Sequence, residues 1–176
     1  MDWLLITYRL PSEPSRHRVA VWRQLRRVGA VPLQQATWAL PARGDLVQAI
    51  AKVVGLVEAA EGEVFTFDAR TRDETSGARL EELFTMQREE EWAEFLSECG
   101  KFDGELDKEI RIRKFTAAEL DEEEQNLERL RRWFRDLRRR DVFVAASQAD
   151  AEQRLKGCEE RLEEFAARVY DQGGEQ

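Results

Sequence analysis

The chain of 176 residues is 42% hydrophobic and contains five Trp and nine Phe, a composition that excludes disorder and suffices for a buried core. Its longest early apolar stretch, residues 3–6, is too short for a signal peptide or a membrane span, so we expect a cytoplasmic protein with no membrane partner. The net charge is −8, with +2 on residues 1–70 and −10 on residues 71–176. Nucleic-acid binding would therefore require a local basic patch.

A strand followed by a helix is predicted at the start of the chain. Residues 3–8 are strand formers, and Pro11 cannot continue a central strand. Ser15 is the predicted N-cap of the helix, and Gly29 has the position of its C-cap. Val19, Trp22, Leu25 and Arg26 recur at helical spacing, which predicts one face of this helix. The arginines are expected on its other face.

The next forty residues predict two strands, a helix and a further strand. Pro32 indicates that the first of these strands lies at an edge or contains a bulge. The predicted elements are strands at 30–33 and 36–40, a helix from Gly44 or Asp45 to near Gly62, and a strand at 64–67.

The predicted order, β-α-β-β-α-β, is that of the ferredoxin-like unit within an α+β protein. In such a unit two helices cover one face of a four-stranded antiparallel sheet. The other face is either covered by another part of the protein or exposed. We assign the ferredoxin-like domain to residues 1–70.

Residues 78–171 are predicted to form a helical region after a polar linker at 68–77. The first helix carries an apolar stripe from Leu80 to Cys99, and Gly100 and Gly104 are expected to end it. Thr116 and Glu119 form a capping box that begins the second helix. Apolar residues then recur in steps of three, four and seven over 120–137 and 151–169, which predicts an antiparallel helical hairpin. We expect the hairpin to pack on the sheet, on the 80–99 helix or across a homodimer.

Residues that could support catalysis are few. The single histidine, His17, lies among arginines, and consecutive glutamates on a helix point in different directions. Cys99 and Cys158 lie on separate predicted helices; buried free thiols are favoured over a pair. We therefore expect no enzyme activity, no catalytic residue, no metal and no cofactor.

Two arginine clusters are the candidate binding features. The first, on the first helix, comprises Arg16, Arg18, Arg23, Arg26 and Arg27, which can bind nucleic-acid phosphates or a small oxyanion. The second runs from Arg129 to Arg140, where cations stabilise a helix C-terminus and glutamates lie within reach. For the second cluster a structural role is favoured over a nucleic-acid-binding surface. For the first cluster both a structural role and a binding role remain open.

Several segments resemble the N-terminal region of the chromate-resistance regulators called ChrB. They are Trp3–Pro11, Ser15–Leu25, Gly29–Ala30 and Ala36–Pro41, with a looser likeness from Leu127 to Tyr170. The resemblance implies a cytoplasmic regulator of transcription that responds to chromate and binds promoter DNA. Full-length members carry a further C-terminal domain.

The first seventy residues also resemble the ferredoxin-like domain of the repressor PaaX and of the CRISPR spacer-acquisition nucleases. In those nucleases an Asp that ends the first strand is the proposed metal ligand. Arg9 takes that place here, and an arginine cannot bind Mg²⁺. The sequence therefore favours a non-enzymatic ChrB-like regulator or accessory protein. The alternative is a protein-interaction or dimerisation module that binds no nucleic acid.

Overall fold

The computed structural model describes residues 1–173. Packing divides the chain into two compact units, unit 1 (Met1–Gln87) and unit 2 (Arg88–Gln176). The elements are β1 (Trp3–Arg9), α1 (Ser15–Val28), β2 (Val31–Gln34), β3 (Thr37–Pro41), α2 (Gly44–Ala59), β4 (Glu63–Ala69), α3 (Glu74–Ile112), α4 (Ala117–Arg140) and α5 (Ser147–Gly173). The α+β class is confirmed; the domain limits 1–70 and 78–171 stay a prediction.

Unit 1 has the predicted β-α-β-β-α-β order. Its four antiparallel strands lie in the order β2-β3-β1-β4, so β2 and β4 are the two edges. Pro32 lies in edge strand β2, whose register shifts between Pro32 and Gln34, as proline in a strand requires. Gly29 ends α1 in the left-handed region with φ 84°, which confirms the predicted C-cap.

The two faces of this sheet are covered differently. Side chains alternate along β1, and the buried Leu4 and Ile6 lie on the opposite face from Trp3. The Trp3 ring makes an edge contact with Phe84 of α3, their centroids 6.2 Å apart. The register of β1 with β4 places Phe65 and Phe67 on the Trp3 face as well. Both are more than half exposed, so this face is open near β4.

The orientation of α1 differs from the predicted stripe. Val21, Leu25 and Val28 are buried, whereas Val19 and Trp22 are 41% and 48% exposed. The prediction that Val19 and Trp22 lie on the same face as Leu25 is therefore wrong for burial, because the buried face is rotated toward Val21 and Val28. Val21, Leu25 and Val28 follow spacings of four and three and pack inside unit 1.

Unit 2 comprises the later part of α3 with α4 and α5. The predicted ending of the first helix at Gly100 and Gly104 is wrong, because α3 continues to Ile112. A helical glycine costs only about 1 kcal/mol, which the buried residues Phe102 and Leu106 beyond it offset. The linker is also shorter than expected, since β4 ends at Ala69 and α3 begins at Glu74.

The predicted hairpin is present. Thr116 Oγ1 accepts a hydrogen bond from the Glu119 amide at 3.3 Å, which confirms the helix start. Arg131 pairs with Glu159 at 2.6 Å and Arg138 with Glu152 at 3.6 Å, a pairing that only antiparallel α4 and α5 allow. The hairpin packs on α3 in one apolar core that contains Trp92, Phe95, Cys99, Leu130, Phe134, Cys158 and Phe165.

Candidate functional site

The outer surface of α1 carries the five arginines singled out in the sequence, and we call it the α1 arginine face (Arg16, Arg18, Arg23, Arg26, Arg27). All are exposed except Arg26, which is half-buried. From the first to the last they span about 16 Å along the helix axis. The buried stripe of α1, formed by Val21, Leu25 and Val28, faces the interior of unit 1, so the arginines lie on the outer side of the helix.

Acidic partners are scarce on this face. Arg16, Arg18, Arg23 and Arg26 form no ion pair with any of residues 1–173, and the first turn of α1 contains no acidic side chain. Arg16 and Arg18 also lie at the N-terminus of the helix. The helix dipole is positive at this end, so it repels these two cationic side chains and attracts anions. Helix stability therefore does not explain these two arginines, and an external anion would be stabilised by both the guanidinium groups and the dipole.

Trp22 is the residue on this face that the sequence did not single out for binding. It lies in a row with Arg18 and Arg26 at four-residue spacing, and the Arg26 guanidinium carbon is 5.7 Å from its ring centroid. The cation–π contact holds one side of the guanidinium against an apolar surface while its N–H groups remain available. The only signal in the sequence was the alternative stripe Val21–Leu25–Val28, which turns Trp22 outward.

The second arginine cluster differs because several of its arginines already have acidic partners. Arg131 contacts Glu128 as well as Glu159, and Arg135 lies 3.4 Å from Glu128. Arg138, Arg139 and Arg140 occupy the last turn of α4, where they complement the helix dipole. The structure thus supports the structural role that the sequence favoured for this cluster.

In unit 2 a carboxylate lies between the buried Arg88 and the half-buried Arg140. Glu91 lies 3.0 Å from Arg88 Nε and 3.1 Å from Arg140 Nε. Burial lowers the pKa of Arg88, and the charge of Glu91 opposes that shift. Because Glu91 fills the position that an oxyanion would take, this cluster is part of the core rather than a ligand site.

The other residues that the sequence analysis considered for chemistry are Arg9, Cys99 and Cys158. Arg9 ends β1, as expected, and pairs with Glu63 at 2.8 Å. Among residues 1–173 there is no group of three or more side chains that could hold a metal ion. Cys99 and Cys158 are free and buried, and the Cys158 thiol lies 3.8 Å from the Cys99 carbonyl oxygen.

None of the helices described is long and apolar enough to cross a membrane.

Comparison with known proteins places the chain in a family. The family model described as "Protein ChrB, N-terminal" matches residues 18–176, which include four of the five arginines of the α1 arginine face. Protein ChrB of Cupriavidus metallidurans (strain CH34) is 26% identical over 98 residues, or 56% of this chain and 30% of that protein. The chain thus spans about a third of the curated relative that it matches, whereas the family model covers most of the chain. The chain belongs to the ChrB N-terminal family.

Proposed function

We propose that this chain is a non-enzymatic regulatory or accessory protein of chromate resistance that binds DNA through the α1 arginine face. Family membership supports the link to chromate resistance. The observation that carries DNA binding is the α1 arginine face itself, in which four exposed or half-exposed arginines lack an acidic partner within the described residues. A free oxyanion such as chromate would bind there through the same guanidinium donors.

The electrostatics of the chain limit where DNA binds. Unit 1 contains eleven basic and eleven acidic residues, whereas unit 2 has an excess of eight acidic charges. A phosphate backbone is therefore repelled by unit 2 and meets positive potential only where basic side chains are concentrated. The α1 arginine face meets this condition, and the paired arginines of α4 do not.

The test is fluorescence anisotropy of random-sequence duplex DNA across a salt series. Five phosphate contacts predict a slope of log K against log[salt] near −4.5, or a loss of about 500-fold between 50 and 200 mM salt. The triple variant R16A/R18A/R23A removes three unpaired guanidinium groups and should make the slope shallower by about three. Adding chromate at constant ionic strength distinguishes competition at the same arginines from simple screening.

The matched control is R131A/R135A/R138A in α4, which removes the same charge from arginines that already have acidic partners. It should leave the salt slope within about one unit of wild type. Equal losses in both triple variants would show a nonspecific charge effect and contradict the assignment to α1. Absence of binding at low salt would contradict DNA binding altogether.

A protein-interaction module without nucleic-acid binding is the second candidate function. The specific observation in its favour is the pair of exposed aromatic rings, Phe65 and Phe67, on edge strand β4. This surface is separate from α1 in sequence and carries a different chemistry, so both functions can be tested independently.

A further inference from the structure

Edge strand β4 lacks the features that prevent a further strand from pairing with it, whereas the opposite edge strand, β2, has them. Strand β2 is four residues long, contains Pro32 and has an irregular register, three features that prevent pairing with another strand. Strand β4 has seven residues, with neither proline nor lysine, and pairs regularly with β1 along its whole length. Its outer side is the last edge of the sheet. Such an edge is a template for a further strand.

Two aromatic side chains stand on this edge. Phe65 is 58% exposed and Phe67 is 51% exposed, although aromatic residues gain most from burial. Their rings stack on each other, with centroids 6.4 Å apart and an interplanar angle of 24°. Both lie on the same face of the sheet, so a strand added beside β4 could cover them with its own side chains.

The sequence of β4 is complementary to itself. Antiparallel pairing of two β4 strands about a two-fold axis at Thr66 places Phe65 opposite Phe67 of the second copy and Phe67 opposite Phe65. In the same register the two acidic residues of the strand, Glu63 and Asp68, lie opposite apolar residues rather than each other. The four phenyl rings then form two adjacent cross-strand pairs on one face of the joined sheet.

The charges around the strand permit this approach. Glu63 is paired with Arg9 at 2.8 Å, and Arg70, just beyond the strand, is paired with Asp2. Unit 1 as a whole has equal numbers of basic and acidic residues, so two copies do not repel each other through it. The face that carries Phe65 and Phe67 is apolar, and Glu63 at its end is already paired, which fits a second copy better than a phosphate backbone.

We propose that the chain forms a homodimer by antiparallel pairing of β4 with β4 of a second copy, centred on Thr66, which joins the two sheets into one of eight strands. Interfaces of this kind are isologous, since the same residues are used on both sides. The pairing buries Phe65 and Phe67 and satisfies the outward backbone groups of β4. This inference is independent of DNA binding by α1.

Sedimentation equilibrium of the full chain tests the dimer. Wild type should sediment as a concentration-dependent species that approaches twice the chain mass of 20.5 kDa. The F65K/F67K variant places like charges opposite each other across the axis and should raise the dissociation constant by more than about a hundredfold. The F65E/F67E variant should do the same for the same reason.

Charge pairing tests the register and separates loss of contact from misfolding. An equimolar mixture of F65K/F67K and F65E/F67E should form a heterodimer, because each lysine then faces a glutamate. The single chain F65K/F67E should likewise associate at least about tenfold more tightly than either like-charged variant. The control L33K places a lysine at an exposed position on the opposite edge, β2, and should leave association unchanged.

Several results would overturn the proposal. A wild type that is monomeric at every concentration up to about 100 μM excludes a dimer of useful affinity. Dimers that tolerate F65K/F67K without weakening must use another surface. A mixture of the oppositely charged variants that fails to associate while both are folded by circular dichroism contradicts the register centred on Thr66.

Discussion

Replacing Asp141 by asparagine should destabilise unit 2 strongly, although the two side chains have nearly the same volume. Asp141 is buried at the end of α4 and accepts hydrogen bonds from three residues. Trp92 Nε1 donates at 2.8 Å, the Ala145 amide at 3.0 Å and Gln148 Nε2 at 3.0 Å. One carboxylate therefore connects α3, the loop after α4 and the start of α5.

The magnitude follows from the number of donors. All three donors reach Oδ2, so an asparagine with its oxygen there keeps three neutral hydrogen bonds, while its NH₂ group takes the place of Oδ1 and opposes the Ala145 amide, which lies 3.1 Å from that atom. A hydrogen bond to a charged group contributes about 1.5–3 kcal/mol and a neutral one about 0.5–1.5 kcal/mol, so losing the charge weakens each of the three bonds by roughly 1 kcal/mol. We expect D141N to lower the free energy of unfolding by about 2–4 kcal/mol. The corresponding fall in Tm is roughly 5–15 °C for a chain of this size.

Urea unfolding followed by circular dichroism measures this loss, and D136N is the matched control because Asp136 lies exposed on the same helix. The control should change stability by less than about 0.5 kcal/mol. In a W92F background, which removes the indole donor, D141N should cost at least about 1 kcal/mol less. A D141N protein as stable as D136N, or full additivity with W92F, would refute the hydrogen-bond argument.

Three further changes test other parts of the fold. G62A should destabilise unit 1 by about 1–3 kcal/mol in urea unfolding, because a Cβ there would lie 2.5 Å from the Arg9 carbonyl oxygen. G55A, in an open position of α2, should instead stabilise by roughly 0.5–1 kcal/mol, and the reverse order would contradict the packing around Gly62. Burial raises the pKa of Glu123 above its usual 4.5, so its protonated form is favoured by folding and the stability that it contributes is lost as pH rises through the raised value. E123Q should therefore match wild type below pH 4.5 and become the more stable protein above the raised pKa; equal stability at neutral pH would disprove this. The hydrogen bond between the two thiols and burial raise the pKa of Cys158, whereas the same hydrogen bond lowers the pKa of Cys99. Both side chains are fully buried, so neither cysteine should react with a thiol reagent before unfolding, and rapid labelling of the native protein would show that this core opens.

Long-range packing explains where sequence patterns failed as guides to α1 and α3. Along α1, the apolar residues at 19, 22 and 25 form as good a helical stripe as those at 21, 25 and 28. Packing inside unit 1 selected the second stripe and left Trp22 beside the arginines. In α3, Gly100 and Gly104 lower helix propensity locally, yet the core contacts of Phe102 and Leu106 continue the helix through them.

For the arginine clusters, too, the sequence showed where the arginines lie, and the tertiary structure showed which of them have acidic partners. The concentration of arginines in α1 was visible in the sequence, and so was that in α4. Only the packed structure showed that α5 supplies Glu159 and Glu152 to the α4 arginines, while Arg16, Arg18 and Arg23 have no acidic partner among the described residues.

The sequence by itself determined the order of the elements in unit 1, the caps at Gly29 and Thr116, and the edge position indicated by Pro32. These features depend on the backbone preferences of a few neighbouring residues, so they can be read locally. The tertiary structure alone decided that Trp22, Phe65 and Phe67 are exposed. Exposure depends on which distant elements cover a face, and hydrophobic residues in a sequence look the same whether they enter the core or remain at an open edge.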